Sequence, residues 1–343
     1  MLRFLKTILL TVLIFSISGG EVMSIPLQKV ILKSTVYIKN SFGNVGTGFL
    51  ISKSVEENRK GLFLITNKHM LRKDGAGEYT KSIDVRFYAI DQAKGVEWVR
   101  IPVLLDDNQF ANIVFMHPKE EIDIVGILIS PIAAQMQDRI SFMNLGEDTI
   151  VTREISQKEY IDSGEDLVVL GYPAGIFSEN NYLPLMKSGL LASSSSEDLL
   201  LKLGNKEIKG KIYLVEGALF GGNSGGPVLV KVRERIKREE DGLRQTVQIG
   251  QYLPIYLLGV QSSSIQLKEK IYTRIFEGGE SSKITTQTNI DKKVIKDSAG
   301  EYIELDKEVM LNVVFSAEYL NDIFDLYLER FKLKPSAPNS TPK

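Results

Sequence analysis

Gly221-Gly222-Asn223-Ser224-Gly225-Gly226-Pro227 sets one hydroxyl among backbone amides that almost no side chain obstructs. Without Cβ atoms, Gly222, Gly225 and Gly226 reach backbone angles closed to other residues, so the peptide can turn sharply and aim two N–H groups at one point. The amides of Gly222 and Ser224 then outline an oxyanion hole. Acyl transfer through a serine needs such donors, and removing one costs about 2.7–4 kcal/mol of barrier lowering. The nucleophile also needs a base.

The chain has two histidines, His69 and His117, and both precede Ser224. Gly222 to Gly226 also fits the G-x-S-x-G elbow of α/β-hydrolases, where serine comes first, the acid second and histidine last. With no histidine after Ser224, that order is impossible. What remains is histidine, aspartate, serine, the chymotrypsin-type order.

His69 follows Gly61-Leu-Phe-Leu-Ile-Thr66, a short apolar run of the kind that forms a buried strand, so the imidazole sits at a strand end, held yet accessible. Asp123 opens a second such run, Asp123-Ile-Val-Gly-Ile-Leu-Ile-Ser130, which tucks its carboxylate at the edge of the core. An acid there accepts the imidazole Nδ1 proton, fixes the tautomer that leaves Nε2 to take the serine proton, and stabilises the imidazolium. Asp84, Asp106 and Asp107 are rival acids in turns, and His117, beside Pro118, is expected as a surface turn residue.

These residues resemble the trypsin-like serine peptidases, above all the single-polypeptide HtrA-type branch. Gly46-Thr47-Gly48-Phe49 resembles the family's early G-[ST]-G-F strand, Thr66-Asn67-Lys68-His69-Met70 its T-x-x-H-[VM] block, and Asp123-Ile124-Val125 the D-[LI]-A that carries the acid. Gly171-Tyr172-Pro173, Lys187-Ser188-Gly189, Gly222 to Pro227 and Leu258-Gly259-Val260 follow in family order. The resemblance implies two six-stranded antiparallel β-barrels with a C-terminal helix. It implies a peptidase with His69, Asp123 and Ser224 as triad, no cofactor or metal, and protein or peptide substrates. It also places Ala218, six residues before the serine, at the floor of the primary pocket, which implies small or aliphatic P1 side chains. Gln261, Ser262 and Ser263 would form a pocket wall. The chain lacks an Ile-Val-Gly-Gly-type N-terminus, so activation by a newly cut amino terminus is not expected, and no PDZ segment is recognisable. A catalytically silent binding protein on the same fold, or an esterase with the same triad, fits the same residues.

Composition suits a folded, exported enzyme. With 343 residues, 43% hydrophobic and 25% charged, the chain can bury a full core, and a net charge of -1 gives no reason to invoke nucleic acid. No cysteine is present, which excludes disulfides and thiolate metal sites. Arg3 and Lys6 flank the apolar run Thr7 to Ile17, and Ser18 and Gly20 supply small residues before a cut, so residues 1–20 read as a signal peptide for periplasmic or extracellular export. An uncleaved membrane anchor is the alternative, although the run is shorter than the roughly 20 residues that span a bilayer.

Many short apolar runs between polar turns predict an all-β domain over residues 21–333. Strands are expected at Thr35–Lys39, Gly46–Ile51, Leu62–Thr66, Ile83–Ala89, Trp98–Leu105, Ile124–Ile129, Leu167–Leu170, Leu199–Leu203, Lys211–Val215, Pro227–Val232, Ile255–Val260 and Val309–Phe315. Leu320, Ile323, Phe324, Tyr327, Leu328 and Phe331 recur at helical spacing, with Ser316 available as N-cap. The charged stretch Lys231 to Gln251, a solvated hairpin or helix, and the polar stretch Gln266 to Lys307 read as inserts, and residues 334–343 as a disordered tail.

Overall fold

A computed structural model describes residues 27–56, 59–73, 78–91, 94–103, 112–177, 182–195, 197–203, 206–217, 222–231, 236–238, 245–247, 255–274, 293–297 and 300–335. The proposed signal segment, Ala218 and most of the tail therefore lie outside the described residues.

Two antiparallel systems make up the molecule. After helix α1 (Leu27–Ser34), the first sheet takes β1 (Thr35–Asn40), β2 (Val45–Ser54), β3 (Lys60–Thr66), β4 (Ser82–Ala89), β5 (Val96–Pro102), β6 (Val114–Met116) and β7 (Val125–Leu128). These run in the order β5-β4-β1-β2-β3-β7-β6, and the two-residue strands β8 (Ile140–Ser141) and β9 (Leu145–Gly146) pair with β4 and β2. The short helices α2 (Ser130–Met136) and α3 (Arg153–Lys158) lie in the chain between β7 and the second system.

That second system uses β10 (Asp166–Gly171), β11 (Leu185–Leu191), β14 (Ile212–Glu216), β15 (Pro227–Lys231), β18 (Ile255–Arg274) and β20 (Gly300–Ser316). The pairing of β14 with β20 joins the ends of the path β14-β11-β10-β15-β18-β20, so six strands close into a barrel. The first sheet forms the open counterpart. Together with a C-terminal helix, α4 (Tyr319–Phe331), this is the two-barrel chymotrypsin-type architecture.

β3 and β10 read as near-continuous apolar runs because both of their faces are buried. In β3, Leu62 and Leu64 enter the core of the first sheet, while Phe63 and Ile65 enter a larger core shared by both halves. In β10, Leu167 and Val169 fill the closed barrel, and Val168 and Leu170 face the shared core. Helix α4 supplies that core with Leu320, Ile323, Phe324, Tyr327 and Leu328, and Phe63 meets the rings of Phe324 and Tyr327 at centroid distances of 5.3 and 5.1 Å. The helix starts at Tyr319, so Ser316 does not cap it directly; its hydroxyl instead accepts from the Glu318 amide at 3.2 Å. Lys332 ends it in the left-handed region, where Leu333 N–H bonds back to Leu328 O at 2.9 Å.

Both polar inserts contain strand. β18 and β20 stay in register from Gly259↔Ser316 to Arg274↔Tyr302, and β19 (Lys293–Asp297) pairs with the far part of β20. The described part of the charged stretch is the antiparallel pair β16 (Ile236–Arg238) and β17 (Gln245–Val247). Another two-stranded pair, β12 (Leu199–Leu203) with β13 (Lys206–Gly210), lies between β11 and β14 in sequence. Among the described residues no helix is long and apolar enough to cross a membrane.

Candidate functional site

His69 leaves β3 on a 3-10 turn, Lys68–Leu71, and Asp123 sits just ahead of β7, the strand paired with β3. Adjacent strands thus deliver the two side chains to one point. Nδ1 of His69 lies 2.6 Å from Asp123 Oδ2, and the His69 backbone N–H donates to Asp123 Oδ1 at 3.1 Å. A ring nitrogen facing a carboxylate this closely holds the proton, which makes Nε2 the basic nitrogen. The Asn67 amide donates to Asp123 O at 2.7 Å, so the acid is gripped at its main chain as well.

Ser224 comes from the other half. Its turn docks onto the first sheet through Thr47, whose N–H donates to Ser224 O at 2.8 Å and whose hydroxyl donates to Gly222 O at 2.7 Å. The same hydroxyl accepts from Tyr172 N–H at 3.1 Å. On the opposite side, Gly225 N–H donates to Gln261 O at 2.8 Å and Gln261 N–H to Gly226 O at 2.9 Å.

Two of the glycines are required by this docking. Gly222 has φ +98, and a Cβ there would lie 2.4 Å from Tyr172 O; Gly225 has φ +84, and its Cβ would lie 2.1 Å from Thr47 O. No L side chain fits either place. Among the described residues, neither the Gly222 nor the Ser224 amide donates a hydrogen bond, whereas Gly226 N–H is taken by Asn223 O.

Ser262 links the two halves. Its hydroxyl donates to Asp123 Oδ2 at 2.8 Å, and its carbonyl accepts the Ser224 hydroxyl at 2.9 Å. Ser262, expected by resemblance in a pocket wall, touches both the acid and the serine hydroxyl. Finding that from sequence requires the β18 bulge between Gln261 and Ser263, which no local pattern announces. Gln261 is buried, with its amide on Ser263 O at 3.2 Å, and Ser263 is exposed.

The described rivals, Asp84 and His117, have other partners. Asp84 pairs with Arg100 on β5 at 2.8 Å, and Asp106 and Asp107 lie outside the described residues. His117 is not on the surface as its sequence context suggests but 2% exposed. Its Nδ1 accepts from Lys119 N–H at 3.2 Å, its Nε2 faces Asp322 Oδ2 at 2.8 Å, and the ring packs on Tyr319. Helix α4, distant in sequence, is what buries it.

Charged and aromatic groups brace the surrounding loops. Lys68 is buried, and burial pushes its ammonium below the usual lysine value, against the opposing pull of Glu120. Arg72 pairs with Glu120, which holds that carboxyl below the ordinary range. Farther out, the Arg86 guanidinium lies 4.1 Å from the Trp98 ring centroid, 4.5 Å from Phe177 and 5.0 Å from Tyr37 and Tyr182. That clasp pins the segment after Tyr172 to the first sheet. Among the described residues no cluster of His, Asp and Glu could hold a metal ion.

No family model matches the chain, and neither does any curated protein. Among solved structures, it is similar to a mutant of Rv3671c from M. tuberculosis H37Rv in an inactive form, with 14% identity, a TM-score of 0.41, and coverage of 93% of this chain and 93% of that one. It is likewise similar to the active form of the Rv3671c protease from M. tuberculosis, with 14% identity, a TM-score of 0.42, and coverage of 91% of this chain and 87% of that one.

Proposed function

We propose that the chain is an exported serine endopeptidase that works through His69, Asp123 and Ser224. One observation carries the reading: the Asp123 carboxylate is shared between the ring and amide of His69 and the hydroxyl of Ser262, whose carbonyl in turn accepts the Ser224 hydroxyl. In the reaction Ser224 releases the Ser262 carbonyl and gives its proton to Nε2 of His69 as its oxygen attacks the scissile carbonyl. Asp123 orients the ring and stabilises the imidazolium. The amides of Gly222 and Ser224 receive the oxyanion, the imidazolium returns its proton to the leaving amine, and water resolves the acyl-enzyme with the roles reversed. By the family resemblance, which assigns Ala218 to the primary pocket, small or aliphatic side chains are the expected P1 residues, and residues 1–20 are the export signal.

The Ser224 hydroxyl bond to Ser262 favours a second reading, a silent peptidase-like binding protein with its hydroxyl parked. Covalent labelling by a fluorophosphonate separates the two. Wild-type protein should be labelled at Ser224 and cleave peptides, and Ser224→Ala should lower kcat by about 10⁶-fold. Unlabelled wild type, or peptide cleavage retained by purified Ser224→Ala, refutes the triad; turnover of esters without amides marks an esterase.

A further inference from the structure

Lys68 is an unusual residue to find inside a protein. Lysine is almost never fully buried unless its ammonium is partnered, and this side chain is 4% exposed. Its Nζ donates to Lys119 O at 2.7 Å and to Glu120 O at 3.4 Å, with Glu120 Oε2 at 4.0 Å. Those carbonyls belong to the loop that ends at Asp123. Asn67 and His69, on either side of Lys68, grip the same loop at the Asp123 carbonyl and carboxylate. Three consecutive residues therefore hold one loop, and Lys68 holds the end farthest from the carboxylate.

We propose that Lys68 is a positioning residue: its buried ammonium fixes the loop from Lys119 to Asp123 so that the acid stays seated on His69. The role rests on the peptidase reading above. A neutral side chain of equal length fills the space but donates nothing, leaving the Lys119 and Glu120 carbonyls without this donor and freeing the loop to drift from the imidazole. Misplacement of a catalytic group by about 1 Å costs about 10²-fold in rate. The charge is also exposed to titration. Burial lowers its proton affinity, while Glu120, Asp123 and Glu121 favour the ammonium and Arg72 opposes it. On the far side of the loop, His117 accepts from Lys119 N–H and faces Asp322 of α4. Loss of the Lys68 proton at alkaline pH should loosen the clamp and lower kcat.

Lys68→Met and Lys68→Arg test this. Lys68→Met should lower kcat and the fluorophosphonate labelling rate by about 10- to 100-fold, with KM moved by less than about threefold. Lys68→Arg should keep kcat near wild type and move the alkaline limb of its pH profile upward. The low-field Nδ1 proton resonance of His69, read on ¹⁵N-histidine-labelled protein, should weaken or shift in Lys68→Met and persist in Lys68→Arg. A Lys68→Met protein with wild-type kcat and an unchanged resonance overturns the proposal. So does an alkaline limb at the same pH in Lys68→Arg and wild type, which decides the matter if the methionine variant does not fold. If the wild type is not labelled at Ser224, the peptidase reading fails by itself, and the resonance still shows whether Lys68 seats Asp123.

Discussion

Gly225→Ala should damage the molecule more than its backbone angle alone explains. At φ +84 an alanine pays the strain of the left-handed region, about 1–3 kcal/mol. Its Cβ would also stand 2.1 Å from Thr47 O and 2.3 Å from Thr66 Oγ1. The Ser224 carbonyl and the Gly225 amide are tied to Thr47 and Gln261, so the turn cannot retreat from either side. Relieving the clash then costs about 1–3 kcal/mol of overpacking, with about 0.5–1.5 kcal/mol more if the Thr66 hydroxyl loses its bond to Thr47 O. Gly43 supplies the control. It has φ +94 and nothing within 4 Å of a built Cβ, so Gly43→Ala carries the strain without the collision. Gly225→Ala should therefore lose about 1–4.5 kcal/mol more than Gly43→Ala, or about 1.5–7 °C in Tm for a domain of this size. Urea titrations with unchanged m-values give the two stabilities directly. Equal losses in the two variants, within about 0.5 kcal/mol, would show that the turn is not clamped between the two halves.

Ser262→Ala removes one charge-assisted hydrogen bond to Asp123, worth about 1.5–3 kcal/mol, and should lower kcat/KM by roughly 10- to 100-fold; Ser262→Thr should restore most of it, and an undiminished alanine variant would detach Ser262 from the acid. Burial pushes Tyr88 and Tyr213 up to about 12 and Tyr172 well above 10.0. These phenols stay neutral in the folded chain while the unfolded chain ionises, so their contribution to stability is complete below about pH 10 and lost as pH rises through the folded values. Tyrosinate absorbance should accordingly rise in two steps, the second coinciding with loss of folded structure, and a single step near pH 10 would contradict the burial. Phe324→Ala should cost about 3–5 kcal/mol by opening a hole beside Phe63, and a loss below about 1 kcal/mol would mean that α4 does not anchor the shared core.

The barrels were legible because burial on two faces writes itself as uninterrupted apolar runs, as in Leu62 to Ile65 and Leu167 to Leu170. β11 carries no clear strand signal because Leu185–Leu191 alternates half-buried with exposed positions and holds no β-branched residue. The extension of β18 and β20 reads as a polar insert in the sequence. Ile265, Leu267 and Ile271 fall on alternate positions there, but Glu269 breaks the series and the neighbouring charges outweigh it. Helix α1 and the short helices α2 and α3, of seven and six residues, are too brief to show a periodicity. At the site, His69, Asp123 and Ser224 were visible through their flanking blocks, whereas Ser262, Lys68 and buried His117 acquire their partners only across the fold.

Helix α4 has a consequence for how the protein is made. A sheet built from residues 35–146 gets part of its apolar cover, and the Asp322 that faces His117, from residues 319–331. Arg330 also donates to Val114 O on β6, the terminal strand of that sheet's path. The first sheet therefore cannot be completed until residues 319–331 have docked against it. A molecule whose α4 has not docked would leave β6 and its apolar surroundings open to pairing with other chains, which makes the docking of that helix the step that separates a competent molecule from an aggregating one.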